Sequence, residues 1–198
     1  MTLILASGSI VRAQLLRQAG LDFQVETAAI DEHEIKLSLQ AEHVPVERVA
    51  ETLAETKANR VAARHANTAL VIGADQMLDI EGTWLDKPQD ADEARIHLKQ
   101  LRGRSHRLIS SVVLIKGGTR IWHQTAEAYL RMRPFSDAFL DHYLATTAPD
   151  ILGSVGCYQL EGVGVQLFDR IDGDFFTILG LPLLPLLGQL RQLGYLQD

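Results

Sequence analysis

The chain has 198 residues, enough for one large domain or two small lobes sharing a sheet, and its 46% hydrophobic content supplies a core without staples. A formal charge of −6 argues against partnership with a nucleic-acid polymer, whose backbone is held by a basic surface that displaces counterions. It leaves room for a small anion held by a local basic cluster. A single cysteine, Cys157, rules out a disulfide within the chain and points to a cytoplasmic home. The opening residues lack the basic leader of a signal peptide, and the apolar stretch 175–187 is interrupted by Gly180, Pro182 and Pro185, so no membrane segment is expected.

Leu3-Ile4-Leu5-Ala6 reads as a short buried strand. Ser7-Gly8-Ser9 then leads into a helix that turns Val11, Leu15, Leu16 and Ala19 inward and stops at Gly20. A strand over residues 23–27 and an acidic loop at Asp31-Glu32-His33-Glu34 precede a second helix, opened by Pro45, with Val46, Val49, Ala50, Leu53 and Val61 on its apolar face. Lys57 falls on that face. Residues 69–74 form a continuous apolar run, the pattern of a strand buried on both sides, with Asp75-Gln76 at its C-terminal end.

Asp90 and Glu93 make a capping box for a helix that packs Ala94, Leu98 and Leu101 and ends at Gly103. Strands over 107–115 and 120–132 are joined by a turn at Lys116-Gly117-Gly118. Ser136 caps a helix carrying Phe139, Leu140, Tyr143 and Leu144. Residues 153–164 are a glycine-rich loop, 165–171 a further strand, Asp172-Gly173-Asp174 a turn, and Pro182 starts a leucine-rich helix. The predicted class is α/β with a mixed sheet, parallel early and antiparallel in the middle.

Several residues stand out chemically. A strand, Ser7-Gly8-Ser9 and a helix bring backbone N–H groups, two hydroxyls and a positive helix end together, with Arg12 one turn in; the arrangement suits a phosphate, and the competing reading is a plain serine cap. Asp75 closes a buried strand with a carboxylate, which is costly unless it meets a cation, a metal or water, and ligands gather at strand ends in α/β sheets. Its bland reading is a structural ion pair. Lys57, i+4 from Leu53 on an inward stripe, either serves a site or snorkels to the surface. The acidic loop offers carboxylates for Mg²⁺, and Lys87-Pro88 and the basic run 99–107 add positive charge in an acidic chain. Cys157 shows no activating neighbour and reads as a buried thiol, and His33, His106 and His123 lack zinc-ligand spacing.

Taken together, the ordered stretches Leu5-Ala6-Ser7-Gly8-Ser9 with Arg12, Asp31-Glu32, Lys57-Ala58, Gly73-Ala74-Asp75-Gln76, Lys87-Pro88, Leu101-Arg102-Gly103, Val155-Gly156-Cys157-Tyr158, Glu161-Gly162-Val163-Gly164, Ile171-Asp172-Gly173-Asp174 and Gly180-Leu181-Pro182 resemble the Maf family of nucleotide pyrophosphatases over nearly the whole chain. The resemblance implies one Maf-like domain over residues 1–198. Its fold would be a mixed, elongated central sheet flanked by helices, in two lobes with a cleft, similar to inosine triphosphate pyrophosphatase. It implies cleavage of a nucleoside triphosphate to monophosphate and pyrophosphate with a divalent cation such as Mg, Mn or Co, in a homodimer. By the same resemblance Asp75 is the proton acceptor, Glu32 binds metal with Asp75 or orients the water, and Arg12, Lys57 and Lys87 contact phosphates, Lys57 within the catalytic group. Ser7 and Ser9 fit the phosphate turn.

Where the family pattern reads Ser-Pro-Arg-Arg, this chain has Ser9-Ile10-Val11-Arg12, so one arginine of the pyrimidine-nucleotide members is absent. Gln76 and Glu161 resemble the branch acting on 7-methyl-GTP, although that branch carries tryptophan at the position of Val11. A substrate such as 7-methyl-GTP or another modified nucleotide is therefore expected, read by Val11, Gln76 and Glu161. The alternatives are a dTTP or UTP pyrophosphatase, and a non-catalytic nucleotide-binding regulator of cell division.

Overall fold

The computed structural model describes residues 2–65 and 69–197. The chain forms two compact units, one built from residues 1–76, 109–126 and 175–198, the other from 77–108 and 127–174. Its elements in chain order are β1 (Thr2–Ala6), α1 (Ile10–Gln18), β2 (Gln24–Val25), α2 (Glu32–Ala41), α3 (Val46–Ala62), β3 (Ala69–Ile80), β4 (Thr83–Leu85), α4 (Ala91–Leu101), β5 (Ser105–Lys116), β6 (Thr119–Met132), α5 (Asp137–Thr147), β7 (Phe168–Asp172), α6 (Phe175–Ile178) and α7 (Leu183–Gln192). Among the described residues these strands form a seven-stranded sheet of order β2-β1-β3-β5-β6-β7, with β4 paired to β3.

β1 runs parallel to β2 and to β3, with Ala6 opposite Gly73. The two-residue turn Gly117-Gly118 has both φ angles positive, 58° and 74°, the conformation that lets β5 fold straight back into β6. β4 and β7 add antiparallel pairs at Leu78↔Leu85 and Leu130↔Ile171. The sheet is therefore mixed, as the sequence pattern predicts.

In the first unit the period-2 alternation of strand side chains fills two cores. Ile4, Ala6, Val71, Val113 and Ile115 pack against Ala54, Ala58 and Val61 of α3. On the opposite face Leu3, Leu5, Leu70, Ile72, Val112 and Leu114 meet Leu15 and Leu16 of α1 and Leu186 and Leu190 of α7. Gly73 lets α3 lie unusually close: a Cβ there would stand 2.1 Å from the Ala54 carbonyl oxygen and 2.7 Å from the Ala58 Cβ. Buried Glu51 ties the same helix to β6, accepting from Arg48 at 2.6 Å and from Arg120, which also donates to Glu55 at 2.8 Å.

In the second unit Asp79 accepts from the Gly82 N–H at 3.0 Å and from Arg107 at 2.9 Å, and Arg107 reaches Glu127 at 3.2 Å. Cys157 is fully buried, with its thiol 3.8 Å from His97 Nδ1 and its pKa pushed up to about 12 by burial, the setting of a packed structural thiol. His106 is buried beside Tyr158 and Phe168 and pairs with the Tyr158 hydroxyl at 2.7 Å.

Four local expectations are corrected. Residues 31–34 are not a loop: Asp31 caps α2 by accepting the Glu34 N–H at 3.0 Å, and Glu32 is the first helical residue. The first turn of α2 is acidic and none of its side chains is buried, which gives the segment the local composition of a solvated loop. Asp75 and Gln76 do not end their strand but sit in the middle of β3, which continues through buried Met77, Leu78 and Ile80 to pair with β4. The seventh strand begins at Phe168, because residues 163–167 wind into a 3₁₀ turn in which Gly164 presses on the Gln159 backbone. In the α4 cap, Asp90 accepts the Glu93 N–H at 2.8 Å, whereas Glu93 reaches back to the Gln89 N–H at 2.7 Å and not to its own cap residue. No helix among the described residues is long and apolar enough to cross a membrane.

Candidate active site

The site begins where β1 ends. After Ala6 the chain turns through Ser7-Gly8-Ser9 into α1, and Ser9 Oγ caps the helix by accepting the Arg12 N–H at 3.3 Å. Ser7 Oγ accepts from the Ser9 N–H at 3.3 Å and from Arg12 Nη1 at 3.1 Å. The cap reading holds for Ser9, while Ser7 is drawn into a charged cluster.

Arg12 is buried and heavily engaged. Its Nε donates to the Gly180 carbonyl at 2.8 Å, and its Nη1 to the Ala74 carbonyl at 3.0 Å as well as to Ser7. Burial draws the pKa of this guanidinium down, and the negative charges of Asp75 and Glu32 push it back up. Arg12 thus locks the β1–α1 turn to β3 and to the Gly180 turn. Val11 packs half-buried against the α1–α7 core.

Asp75 and Gln76 are neighbours on β3 and therefore point to opposite faces of the sheet. Asp75, 4% exposed, lies on the α3 face, where Gly73 admits the helix. Lys57 of α3 does not snorkel: its side chain is 12% exposed, and its Nζ donates to Asp75 Oδ1 at 2.6 Å and contacts Glu32 Oε1 at 2.9 Å. One ammonium thus joins two carboxylates from different elements. The other oxygen, Asp75 Oδ2, is buried with no hydrogen-bond partner, which is costly for an anion and marks a position awaiting a donor or a cation. Asp75 and Glu32 together are the donor set that Mg²⁺ takes when substrate oxygens and water complete its shell. Among the described residues no group of three or more His, Cys, Asp or Glu side chains could hold a metal, so a cation here would draw its remaining ligands from the nucleotide and water.

On the opposite face, the Gln76 side-chain amide donates to Ser110 Oγ at 3.1 Å and to the Thr177 and Ile178 carbonyls at 3.2 and 2.9 Å. Ser110 itself donates to the Thr177 carbonyl at 2.8 Å. These contacts fasten α6 to the sheet. Neither α6 nor Ser110 figures in the sequence reading, yet a signal exists: Ser110 and Ser111 are fully buried inside an otherwise apolar strand segment, and buried hydroxyls demand partners.

Ser7, Ser9, Val11, Arg12, Glu32, Lys57, Asp75 and Gln76 all belong to the first unit. Lys87, exposed between β4 and α4, and Glu161, exposed in the turn before the last 3₁₀ segment, belong to the second. Ser7, Ser9, Val11 and Arg12 lie at the β1–α1 junction, Glu32 at the start of α2, Lys57 on α3, and Asp75 and Gln76 in the middle of β3.

Fold and site define an α/β protein whose parallel strands carry a serine-capped turn, two cations and a carboxylate pair. The family model described as Maf-like protein matches residues 2–193. A protein of Granulibacter bethesdensis named nucleoside triphosphate pyrophosphatase is 52% identical over 97% of this chain and 97% of its own length. One of the same name from Paramagnetospirillum magneticum is 55% identical over 98% of this chain and 99% of its own. A Rhizobium meliloti protein named 7-methyl-GTP pyrophosphatase is 49% identical over 97% and 96%. A solved structure, described as a nucleoside-triphosphatase or dITP/XTP pyrophosphatase from Mycobacterium abscessus, aligns over 98% of this chain and 96% of its own with 13% identity and a TM-score of 0.43. The chain belongs to the Maf family.

Proposed function

We propose that this chain, as one Maf-like domain, cleaves 7-methyl-GTP or another modified nucleoside triphosphate to the monophosphate and pyrophosphate, using a divalent cation. The broader part, a hydrolase of the nucleoside triphosphate pyrophosphatase kind, follows from Maf membership and about 50% identity to proteins of that name. The observation that carries the reading is Asp75: buried, held at one oxygen by Lys57, and unpartnered at the other.

Asp75 accepts the proton of a water molecule whose oxygen attacks phosphorus in line. The new P–O bond forms as the anhydride P–O bond breaks, pyrophosphate departs with the electron pair, and the proton passes from Asp75 to solvent. Displacement of this kind needs positioning and charge neutralisation more than covalent help. Lys57 supplies positive charge beside Asp75, and Arg12 adds a second cation whose field reaches both carboxylates. Ser7 and Ser9 hold the turn that faces the phosphates. A divalent ion, held by Asp75 and Glu32, would neutralise phosphate oxygens and polarise the anhydride. Lys87 serves the phosphates, and Val11, Gln76 and Glu161 read the base. The enzyme works in the cytoplasm as a homodimer.

A panel of 7-methyl-GTP, dTTP, UTP and GTP with Mg²⁺, Mn²⁺ or Co²⁺, read as pyrophosphate release, tests the substrate. Asp75→Asn is expected to leave the fold intact and lower kcat by at least about 100-fold. Unchanged turnover would remove Asp75 from the mechanism.

A further inference from the structure

We propose that Lys57 is a placeholder cation: in the nucleotide-free protein it occupies the two carboxylates, turns away a bare divalent ion, and makes the metal–triphosphate complex the form of substrate the site accepts. The inference rests on reading Asp75 and Glu32 as the metal's protein ligands. It adds the order of binding and the residue that enforces it.

The first argument is geometric. Lys57 Nζ lies 2.6 Å from Asp75 Oδ1 and 2.9 Å from Glu32 Oε1, so its ammonium engages both carboxylates that would hold the ion. The lysine is no stray surface group. It comes from a helix held against β3 by the glycine contact at position 73 and against β6 by the Glu51–Arg120 pair. Asp75 Oδ2, unpartnered in a residue that is 4% exposed, is a second and independent sign that a further cation or donor belongs beside this pair.

The second argument is charge. Asp75 and Glu32 are balanced by Lys57 and by Arg12, whose field reaches both. A bare divalent ion would enter a neutral cluster and raise its charge beside two cations, in a partly buried setting where such repulsion is weakly screened. An ion arriving on a triphosphate brings an excess of negative charge with it. The ammonium then has phosphate oxygens to turn to, and the flexible lysine stem allows that swing while α3 stays in place. Arg12 cannot make the same exchange, because its Nε and Nη1 are tied to the Gly180 and Ala74 carbonyls and to Ser7.

The test is Mn²⁺ binding to the full-length, nucleotide-free protein, followed by the loss of the free-ion electron paramagnetic resonance signal. The wild type is expected to bind Mn²⁺ weakly, and Lys57→Met at least about tenfold more tightly once the competing charge is gone. Lys57→Gln, which keeps a donor for Asp75, should show the same gain and covers the case in which the methionine variant folds poorly. Adding Asp75→Asn to either variant should return the affinity to the wild-type level. Neutral variants that bind Mn²⁺ no better than the wild type overturn the proposal, as does a gain that survives Asp75→Asn. Pyrophosphate release, assayed in parallel on the wild type, judges the functional reading separately. A protein that releases none from any nucleotide overturns that reading, and the manganese titration still decides the role of Lys57.

Discussion

Asp75 has two unlike oxygens, one gripped by an ammonium and one buried alone, and the proposed catalytic role rests on this asymmetry. His106 shows the other outcome of burial. Far from water and paired with Tyr158, it has its pKa pulled from 6.5 to about 4, so the folded protein keeps it neutral where an unfolded chain would protonate it. Between pH 6.5 and about 4 the unfolded state therefore holds the extra proton. Stability is full above that window and falls as the pH drops through it, by an amount on the order of 3 kcal/mol. Thermal melts across this range should show a flatter pH dependence for His106→Phe than for the wild type; identical slopes would mean that other groups set it. At this scale the sequence marks residues of unusual chemistry but not their partners. Lys57 and Asp75 were each legible as charges on buried stripes, but nothing local says that one ammonium also reaches Glu32. The bonds from Gln76 to Thr177 and Ile178 join residues too far apart in the chain for any local pattern to reveal.

The elements were legible where a stripe or a cap announces them. α3, α4, α5 and the β5–β6 hairpin follow from apolar spacing, from Asp90 and Ser136 as caps, and from paired glycines at the turn. α2 is hard to read because its first turn is acidic and none of its side chains is buried. β3 was cut short at Asp75 because a carboxylate looks like an end; Lys57 neutralises it, and the strand continues. The packing of α3 on β3 gives a prediction at this scale. Gly73→Val would drive side-chain atoms into the Ala54 carbonyl and Ala58, costing on the order of 3 kcal/mol or more and pushing Lys57 away from Asp75. Activity should fall more steeply than the denaturation midpoint alone would dictate. A variant as active and as stable as the wild type would show that the close approach does not matter.

For the whole molecule, periodicity points to the mixed α/β class and two lobes are among the expectations, but where the chain passes from one unit to the other is not legible in the sequence. The chain leaves the first unit after Gln76 and re-enters it twice, and such long-range returns leave no local trace. The last return is structurally costly to lose. Leu181, Leu183, Leu186 and Leu190 are buried in the same core as β1 and α1. Each buried leucine contributes on the order of 2–5 kcal/mol, so removing residues 181–198 should exceed the whole stability of an ordinary domain. The truncated chain is expected to lose its near-ultraviolet circular dichroism and cooperative melting; a cooperative transition would show that the first unit closes without its final helix.

The back-to-back setting of Asp75 and Gln76 on one extended segment makes chain length itself a chemical parameter. One residue inserted between Ala69 and Asp75 would turn the acid toward the leucines of α1 and α7 and the amide toward Lys57. Two would restore the orientation but carry the acid about 7 Å along the strand, out of the ammonium's grasp. Substitutions in this stretch can be absorbed by repacking, whereas indels of either parity would silence the proposed chemistry, so lineages that depend on it should vary this segment in spelling and never in count.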